Sequence, residues 1–370
     1  MRTFKDWMRI GALALVVSLW GCGSADKCCE ETADTSSTLT TVTTPTGTTT
    51  DTGPFYRLIG DNTNMPASAL LSIWGTDSSN VWTVGSDDGA GPVVLHYDGT
   101  AWSRIDTGTS GDLWWVWGDG EGTVWFSGAY GRVIKHDVAT GVSEERTITE
   151  PQITLFGFWG ASADDLWAVG GDINLTVDGV VLHSTDGGDV FASAGEVPMF
   201  DVSPRQAFKV WGRSASEVFV VGTNALIMEW DGMALTAVDP SPLYQSTPIT
   251  TVAGGADEVL AVGGYGNAAV ARYVDGAWVD DSPPPQKIAP FFNGVNVRDG
   301  VGSVACGGQG SIWWRTDKGW SEAGESQTLH DFHACWIDPD GDVWAVGGDL
   351  SGLTEGVLAY TGDAVPDVAL

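Results

Sequence analysis

A short unit that begins with Trp-Gly recurs along the chain, and it constrains the fold more than any other feature. Its clearest copy, FWGASADDLWAVGG, occupies residues 158–171. Two apolar segments of strand character flank a small polar run, a pattern that predicts a β-hairpin. Similar copies begin at Ile73, Val116, Val210 and Cys335, and weaker copies begin at Val252 and Gly302. The number and period of these repeats therefore determine the expected architecture.

The repeats align on the glycine that closes the second apolar segment. These glycines lie 40 to 52 residues apart, at Gly85, Gly128, Gly170, Gly222, Gly263, Gly307 and Gly347. Each is followed by a turn and a third apolar segment such as VVLHYDG, and in most units a fourth segment comes next. Four short strands in about 43 residues are typical of a β-propeller blade. We predict an all-β fold, a seven-bladed β-propeller with four-stranded blades, over residues 54–370.

The two ends of the repeat region indicate how the ring closes. The seventh unit ends after its third segment, at Tyr360, so its blade lacks an outer strand. The segment PFYRLIG, which precedes the first repeat, has the pattern of a fourth strand. We expect residues 55–59 to complete the last blade, because this pairing removes an exposed sheet edge.

Tryptophans recur at two positions of the repeat. One set comprises Trp74, Trp117, Trp159 and Trp211, and the other comprises Trp82, Trp125, Trp167 and Trp344. Large rings at repeated sites suit the gaps between stacked blades, so we predict that they form the core. Blade 5 has Ala253 and Leu260 at these positions, and we expect Trp278, Trp313 and Trp314 to supply the missing bulk in blades 5 and 6.

The N-terminal segment has the pattern of an export signal. Three basic residues precede an apolar run at residues 10–20, which is shorter than a membrane span. Its end, Leu-Trp-Gly-Cys at residues 19–22, resembles the lipobox of bacterial lipoprotein signals. That resemblance implies removal of residues 1–21 and acylation of Cys22. An ordinary signal peptide is the alternative.

The Thr-rich residues 22–53 offer little apolar surface to bury, which indicates a disordered tether. The expected location is the extracytoplasmic side of the bacterial cell envelope, at the outer membrane or the cell surface. The membrane is the expected partner, through acylated Cys22.

The charge of the chain excludes one class of partner. Seventeen basic residues face forty-eight acidic ones, a formal net charge of −31, and no basic stripe could follow a phosphate backbone. Nucleic-acid binding is therefore not expected. We expect a monomeric propeller, kept soluble by its charge.

With Cys22 acylated, four cysteines remain, Cys28, Cys29, Cys306 and Cys335, and four cysteines allow three disulfide connectivities. Cys306 and Cys335 fall in consecutive repeats. In an oxidising compartment they could form a disulfide bond between the last two blades. The alternative is that both are small buried hydrophobic residues within strands.

The repeat resembles those of secreted bacterial propellers related to sialidase-type and photosystem-assembly-factor-type folds. Residues 184–191, STDGGDVF, resemble the Asp-box, S-x-D-x-G-x-x-W/F. In that family the Asp-box is a structural hairpin between the third and fourth strands of a blade. The resemblance implies a propeller fold and does not specify an activity.

No pattern of catalytic or metal-binding residues stands out. Residues 56–59, YRLI, are similar to an arginine-bearing segment of sialidases, but the other arginines are scattered. The acidic run at residues 338–342 favours a β-turn over a calcium loop. His96, His136 and His183 occupy nearly equivalent positions in three blades, which separates them and argues against a zinc site. We predict no catalytic residue, no metal and no cofactor.

Ligand recognition is expected on the loops that join consecutive blades and on the loops between second and third strands, which share one face of a propeller. The candidate residues there are Asp172, Asp178, Phe200, Tyr244, Phe291, Phe292 and Asp349. The predicted function is non-catalytic binding or scaffolding of an unknown protein or glycan ligand. The alternatives are a sialidase-like or other glycan hydrolase and a structural envelope component.

Overall fold

The computed structural model describes residues 55–201, 203–238, 246–284 and 289–370. The signal segment, the tether, Cys22 and Tyr244 lie outside the described residues. Within these ranges, 28 strands form seven four-stranded antiparallel sheets. In the same ranges no helix has the length and apolar character needed to cross a membrane.

Each sheet is one blade, and its strands are named a to d in order from the axis outward. Blade 1 comprises β2 (Leu70–Asp77), β3 (Asn80–Asp87), β4 (Pro92–Tyr97) and β5 (Trp102–Arg104). Blade 2 comprises β6 (Leu113–Gly118), β7 (Thr123–Gly128), β8 (Arg132–Asp137) and β9 (Val142–Thr147). Blade 3 comprises β10 (Ile153–Gly160), β11 (Leu166–Asp172), β12 (Val180–Ser184) and β13 (Ala192–Glu196). Blade 4 comprises β14 (Ala207–Ser214), β15 (Glu217–Gly222), β16 (Leu226–Trp230) and β17 (Leu235–Ala237). Blade 5 comprises β18 (Ile249–Gly254), β19 (Val259–Gly264), β20 (Ala268–Val274) and β21 (Ala277–Asp280). Blade 6 comprises β22 (Phe292–Arg298), β23 (Gly302–Gly307), β24 (Ile312–Thr316) and β25 (Gly319–Glu322).

Blade 7 is assembled from both ends of the described chain. It comprises β26 (Asp331–Ile337), β27 (Val343–Asp349), β28 (Thr354–Tyr360) and β1 (Arg57–Gly60). Arg57 pairs with Tyr360 and Leu58 pairs with Ala359 in antiparallel register, which confirms the predicted closing strand. The first strands contact one another in sequence from β2 to β26, and β26 contacts β2, so the ring is closed. The predicted seven-bladed propeller is confirmed.

The Trp-Gly dipeptide has a packing role between blades. The tryptophan near the end of one strand a lies over the glycine at the Trp-Gly position of the next blade. A Cβ atom on Gly118, for example, would lie only 2.2 Å from the ring of Trp74. The pairs are Trp74 with Gly118, Trp117 with Gly160, Trp159 with Gly212, Trp211 with Gly254 and Trp336 with Gly75. The second set of tryptophans, Trp82, Trp125, Trp167 and Trp344, is at most 1% exposed. Both sets therefore form the core between blades, as predicted.

Blades 5 and 6 pack differently. Trp278 packs edge-on against Phe219 of blade 4, with ring centroids 5.6 Å apart. Trp313 is buried together with Phe292, and Trp314 packs against the core between blades 6 and 7. The expected compensation by these three tryptophans is present, and Trp320, which the sequence pattern did not indicate, adds to it.

Every strand a has a bulge near its start, which explains the repeated closing glycine. In blade 3, Leu155 pairs with Gly170 and Gly157 pairs with Val169, so Phe156 is the extra residue. The bulge brings the preceding carbonyl oxygen close, and a Cβ on Gly170 would lie 2.2 Å from the oxygen of Thr154. We refer to the seven extra residues as the bulge ring: Leu71, Trp114, Phe156, Phe208, Thr250, Asn293 and His333.

Candidate functional site

The propeller has two distinct faces. The loop face carries the connections between blades and the loops between strands b and c, and the hairpin face carries the a–b and c–d turns. Because the bulges lie at the start of each strand a, the bulge ring surrounds the axis near the loop face. The loop face is therefore where inner strands, long loops and the channel mouth meet.

The axis is closed on one side by an apolar cluster, which we refer to as the axial plug. It contains Ala69, Leu71, Trp114, Phe156, Phe208 and Leu350, all buried. Trp114 and Phe208 both meet Phe156 edge to face, with ring centroids 5.1 and 5.6 Å apart. The apolar members of the bulge ring thus pack against one another and occupy the space around the axis.

The other side of the bulge ring is polar and bonds to the neighbouring inner strands. Thr250 Oγ1 donates to the Phe292 carbonyl (2.8 Å), and Asn293 Nδ2 donates to the Phe332 carbonyl (2.9 Å). His333 Nδ1 lies 2.5 Å from the Leu71 carbonyl, which requires a proton on that nitrogen. These bonds satisfy carbonyls that an inner edge strand would otherwise leave unpaired.

Lys209 is a buried cation next to the axis. Its Nζ donates to the Phe156 carbonyl (2.5 Å) and lies 4.3 Å from the centroid of the Trp115 ring. Among the described residues, no carboxylate lies within ion-pair distance of it. Burial lowers the pKa of Lys209 to about 7.

The pKa of His333 is lowered as well, although the residue is only half-buried. Burial, followed by the charge of Lys209, lowers its pKa to about 3. Both groups bond to backbone carbonyls of neighbouring blades, which ties the inner strands together.

One open space on the loop face lies off the axis, where blades 1, 2 and 7 meet. A pocket of about 600 Å³ is lined there by Asp87, Asp88 and Asp112 and by the loop of blade 7 that includes Leu353 and Thr354. We refer to it as the loop-face pocket. Three carboxylates on one wall give this pocket a negative potential.

The three carboxylates are held in fixed positions. Asp87 accepts hydrogen bonds from the amides of Gly111 (2.5 Å) and Gly89 (2.8 Å), and these bonds lower its pKa. Asp88 forms two hydrogen bonds with the Arg104 guanidinium, at 2.7 and 3.0 Å, which also lower its pKa. Asp112 Oδ1 accepts the amide of Asp87 at 2.9 Å. A preorganised acidic surface of this kind suits a ligand that carries cations or hydrogen-bond donors.

Two predicted ligand residues organise loops instead. Asp172 is buried and accepts the amides of Asn174 (2.8 Å) and Thr176 (3.0 Å). Asp349 accepts the amide and the hydroxyl of Ser351 (2.9 and 2.7 Å). The loop that Asp349 shapes supplies the blade 7 wall of the loop-face pocket.

The predicted aromatic residues lie apart from the pocket. Phe292 is completely buried among Trp313 and Trp320, so it is not available to a ligand; as the first residue of β22, it points into the blade. Phe291, its neighbour, is half-buried beside Gly308. Phe200 lies between blades 3 and 4, 5.1 Å from the guanidinium carbon of Arg205.

Asp178 is exposed on the b–c loop of blade 3. The structure therefore does not bring the predicted candidates together in one site.

The histidines at equivalent positions have a structural explanation. His96 stacks on Trp82 with centroids 3.9 Å apart and contacts Asn80 Oδ1 at 2.9 Å. His183 repeats the arrangement with Trp167, at 4.0 Å, and with the carboxylate of Asp165. Within the described ranges, no group of three or more His, Cys, Asp or Glu side chains is placed to hold a metal ion.

Two acidic motifs are turns. Asp338 is fully buried and accepts the amides of Asp340 (3.0 Å) and Asp342 (2.9 Å), so its carboxylate is occupied within the hairpin. In the segment that resembles an Asp-box, Asp186 Oδ1 accepts the amide of Val190 (3.0 Å) and the hydroxyl of Ser184 (2.7 Å).

The arginines do not form a carboxylate-binding cluster. Of the nine described arginines, seven pair with Asp or Glu, and at most two of them, Arg272 and Arg315, share one carboxylate, that of Asp281. Arg57, which the sequence pattern linked to sialidases, pairs with Asp367 beside the closing strand.

The sequence pattern missed the loop-face pocket and Lys209. The run SDDGAG at residues 86–91 was a usable signal, because it places two adjacent acids where strand b ends and the b–c loop begins. Lys209 was visible as the one charge in the apolar run AFKVWG.

Comparisons with known proteins identify the fold and nothing finer. No protein-family model and no curated protein sequence matches the chain. A crystal structure of the WD40 β-propeller domain of Doa1 is similar, with a TM-score of 0.60 and 11% identity, over 83% of this chain and 97% of that one. A streptogramin B lyase structure is similar with a TM-score of 0.63 and 14% identity, over 82% of this chain and 97% of that one. At such identities the likeness supports the propeller fold alone.

Proposed function

We propose that this protein is a non-catalytic binding or scaffolding module of the bacterial cell envelope, tethered to the membrane through acylated Cys22. Its protein or glycan ligand is bound on the loop face, at the pocket between blades 1, 2 and 7. The observation that carries this proposal is the loop-face pocket itself, a space of about 600 Å³ with three carboxylates on its wall.

The surrounding structure favours binding over catalysis. The axial plug occupies the channel mouth, and the polar members of the bulge ring bond to backbone carbonyls. The pocket acids accept amides or pair with Arg104, which fixes their positions without activating a nucleophile. Rigid, ionised carboxylates attract cationic groups of a ligand and lose that attraction as salt increases.

A binding array tests the ligand proposal. The chain from residue 23 onward would be applied to immobilised basic, neutral and acidic peptides and to neutral and amino-bearing glycans. We expect binding to ligands with positive charge, weakened severalfold between 50 and 500 mM salt. Asp112→Asn should weaken it, whereas Asp317→Asn, on an exposed turn of the hairpin face, should not. Equal loss in both variants, or preference for acidic ligands, would contradict the proposed site.

The tether is tested separately. In bacteria that produce the full chain, labelled palmitate should be incorporated, and the protein should partition with membranes. Cys22→Ala should abolish the label and release the chain, because the lipobox cysteine is the residue to which the acyl chains are attached. Labelling that persists in Cys22→Ala would refute acylation at this residue.

A further inference from the structure

Two cysteines lie on either side of the boundary between blades 6 and 7. Cys306 is in β23 and Cys335 is in β26, and both are buried and free in this structure. They belong to one apolar cluster with Val304, whose carbonyl lies 3.8 Å from Cys335 Sγ. Burial raises the pKa of the Cys306 thiol, and the neighbouring Cys335 thiol raises it further.

Gly294 brings the two residues together. It pairs with Cys306 across β22 and β23, and it also lies against the backbone of blade 7. A Cβ on Gly294 would lie 2.9 Å from Cys306 Sγ and 3.1 Å from the Cys335 amide nitrogen. The missing side chain therefore lets blade 7 approach blade 6 at the two thiols. The contact joins two separate sheets, and the two cysteines are 29 positions apart in the sequence.

We propose that Cys306 and Cys335 form a disulfide bond that links blade 6 to blade 7 in the exported protein. Each thiol loses a proton, one Sγ–Sγ bond forms, and two electrons pass to a disulfide-bearing oxidant. The oxidant's S–S bond breaks, and its two sulfurs leave as thiols after a mixed-disulfide step. The bond lies next to the blade that the closing strand completes, so it reinforces the ring where the chain ends meet.

Burial determines when the bond forms. Once the blades have packed, neither thiol is accessible to an oxidant, and burial raises the pKa of Cys306 well above its ordinary value. A buried, protonated thiol reacts slowly with disulfides. Oxidation must therefore occur during folding, in an oxidising compartment, and a chain folded in a reducing cytoplasm keeps both thiols.

The test compares the full chain exported by its own signal with the chain from residue 23 produced in the cytoplasm. Each would be denatured, alkylated without reductant and digested for mass spectrometry. We expect a disulfide-linked peptide pair containing Cys306 and Cys335 in the exported protein only. Reduction should lower its Tm by about 5 °C, an effect absent in Cys306→Ala and retained when Cys28 and Cys29 are replaced by serine.

Full alkylation of both thiols in the exported protein would overturn the proposal. So would pairing of either one with Cys28 or Cys29. Refolding the denatured chain with oxidised glutathione is a second measurement, and free thiols after that treatment would also overturn it.

Discussion

At the scale of single residues, the chain pairs a large residue in one blade with a small residue in the next. Where Trp74 ends a strand a, the facing residue of blade 2 is Gly118. Blade 5 has Ala253 at the tryptophan position, and blade 6 has Val297 in place of glycine. At the tryptophan position blade 6 has Asn296, whose Oδ1 accepts a hydrogen bond from the backbone amide of Ile337 in blade 7 (3.0 Å). Close packing explains this exchange of large and small residues, because the space between two blades has room for one large side chain and leaves a cavity without one.

A double-mutant cycle tests this pairing. Gly118→Val should destabilise the fold by about 3 kcal/mol, because its side chain meets the Trp74 ring, and Trp74→Ala should cost about 3 kcal/mol through lost burial. The double variant, which imitates the Ala253 and Val297 arrangement, should be at least about 1 kcal/mol more stable than the sum predicts. Urea unfolding followed by far-UV circular dichroism measures all three. Strict additivity would show that the two positions are not coupled.

The buried Lys209 should make the stability of the fold depend on pH. Its pKa is about 7 in the fold and near 10.5 in the unfolded chain, so the unfolded state binds more protons between these values. The free energy of unfolding should therefore rise with pH from about 7 to 10.5, by up to roughly 5 kcal/mol from this group. Lys209→Met should be more stable than the wild type at pH 6.5, and the difference should disappear or reverse near pH 10, where the Phe156 carbonyl is left unpaired.

Chemical denaturation of both proteins at the two pH values measures this difference, with Lys318→Met, at an exposed position, as the control. A constant difference between Lys209→Met and wild type across the range would show that Lys209 carries no buried charge.

At the scale of elements, periodicity predicted the hairpins, the blade count and the closing strand. Each of these depends on alternating apolar residues and turn residues, which are local properties of the sequence. The bulges were not predictable in this way, because one extra residue in a strand leaves its apolar character unchanged. Phe292 shows the consequence: the pattern placed it in a loop, whereas the bulge at Asn293 directs it into the core.

The closing strand should contribute strongly to the stability of the ring. Leu58→Pro removes an amide from the pairing of β1 with β28 and should lower the free energy of unfolding by about 3 kcal/mol or more. It should also promote association, because the edge of β28 becomes free. Urea unfolding and light scattering measure the two effects. Asp317→Pro, in the exposed c–d turn of blade 6, is the matched control. Unchanged stability in Leu58→Pro would contradict closure through β1.

At the scale of the whole molecule, apolar side chains fill the space around the axis, and the acidic pocket that we propose as the binding site lies away from it. The candidate residues chosen from loop length were spread over blades 3, 4, 6 and 7, whereas the pocket forms where blades 1, 2 and 7 meet. Sequence could not reveal this meeting, because Thr354 is far from Asp87 and Asp112 in the chain. The formal net charge of −31 did indicate that the surface is negatively charged.

Site-specific photo-crosslinking in bacterial cells that produce the full chain tests the proposed binding site most directly. A photoreactive residue would be placed at Ala90, in the exposed loop of blade 1 beside the pocket, or at Thr100, on the exposed hairpin face of the same blade. We predict discrete adducts from Ala90 and not from Thr100, and their loss when Asp112→Asn is added. Adducts from Thr100 alone, or adducts from Ala90 that persist in Asp112→Asn, would contradict recognition at the loop-face pocket.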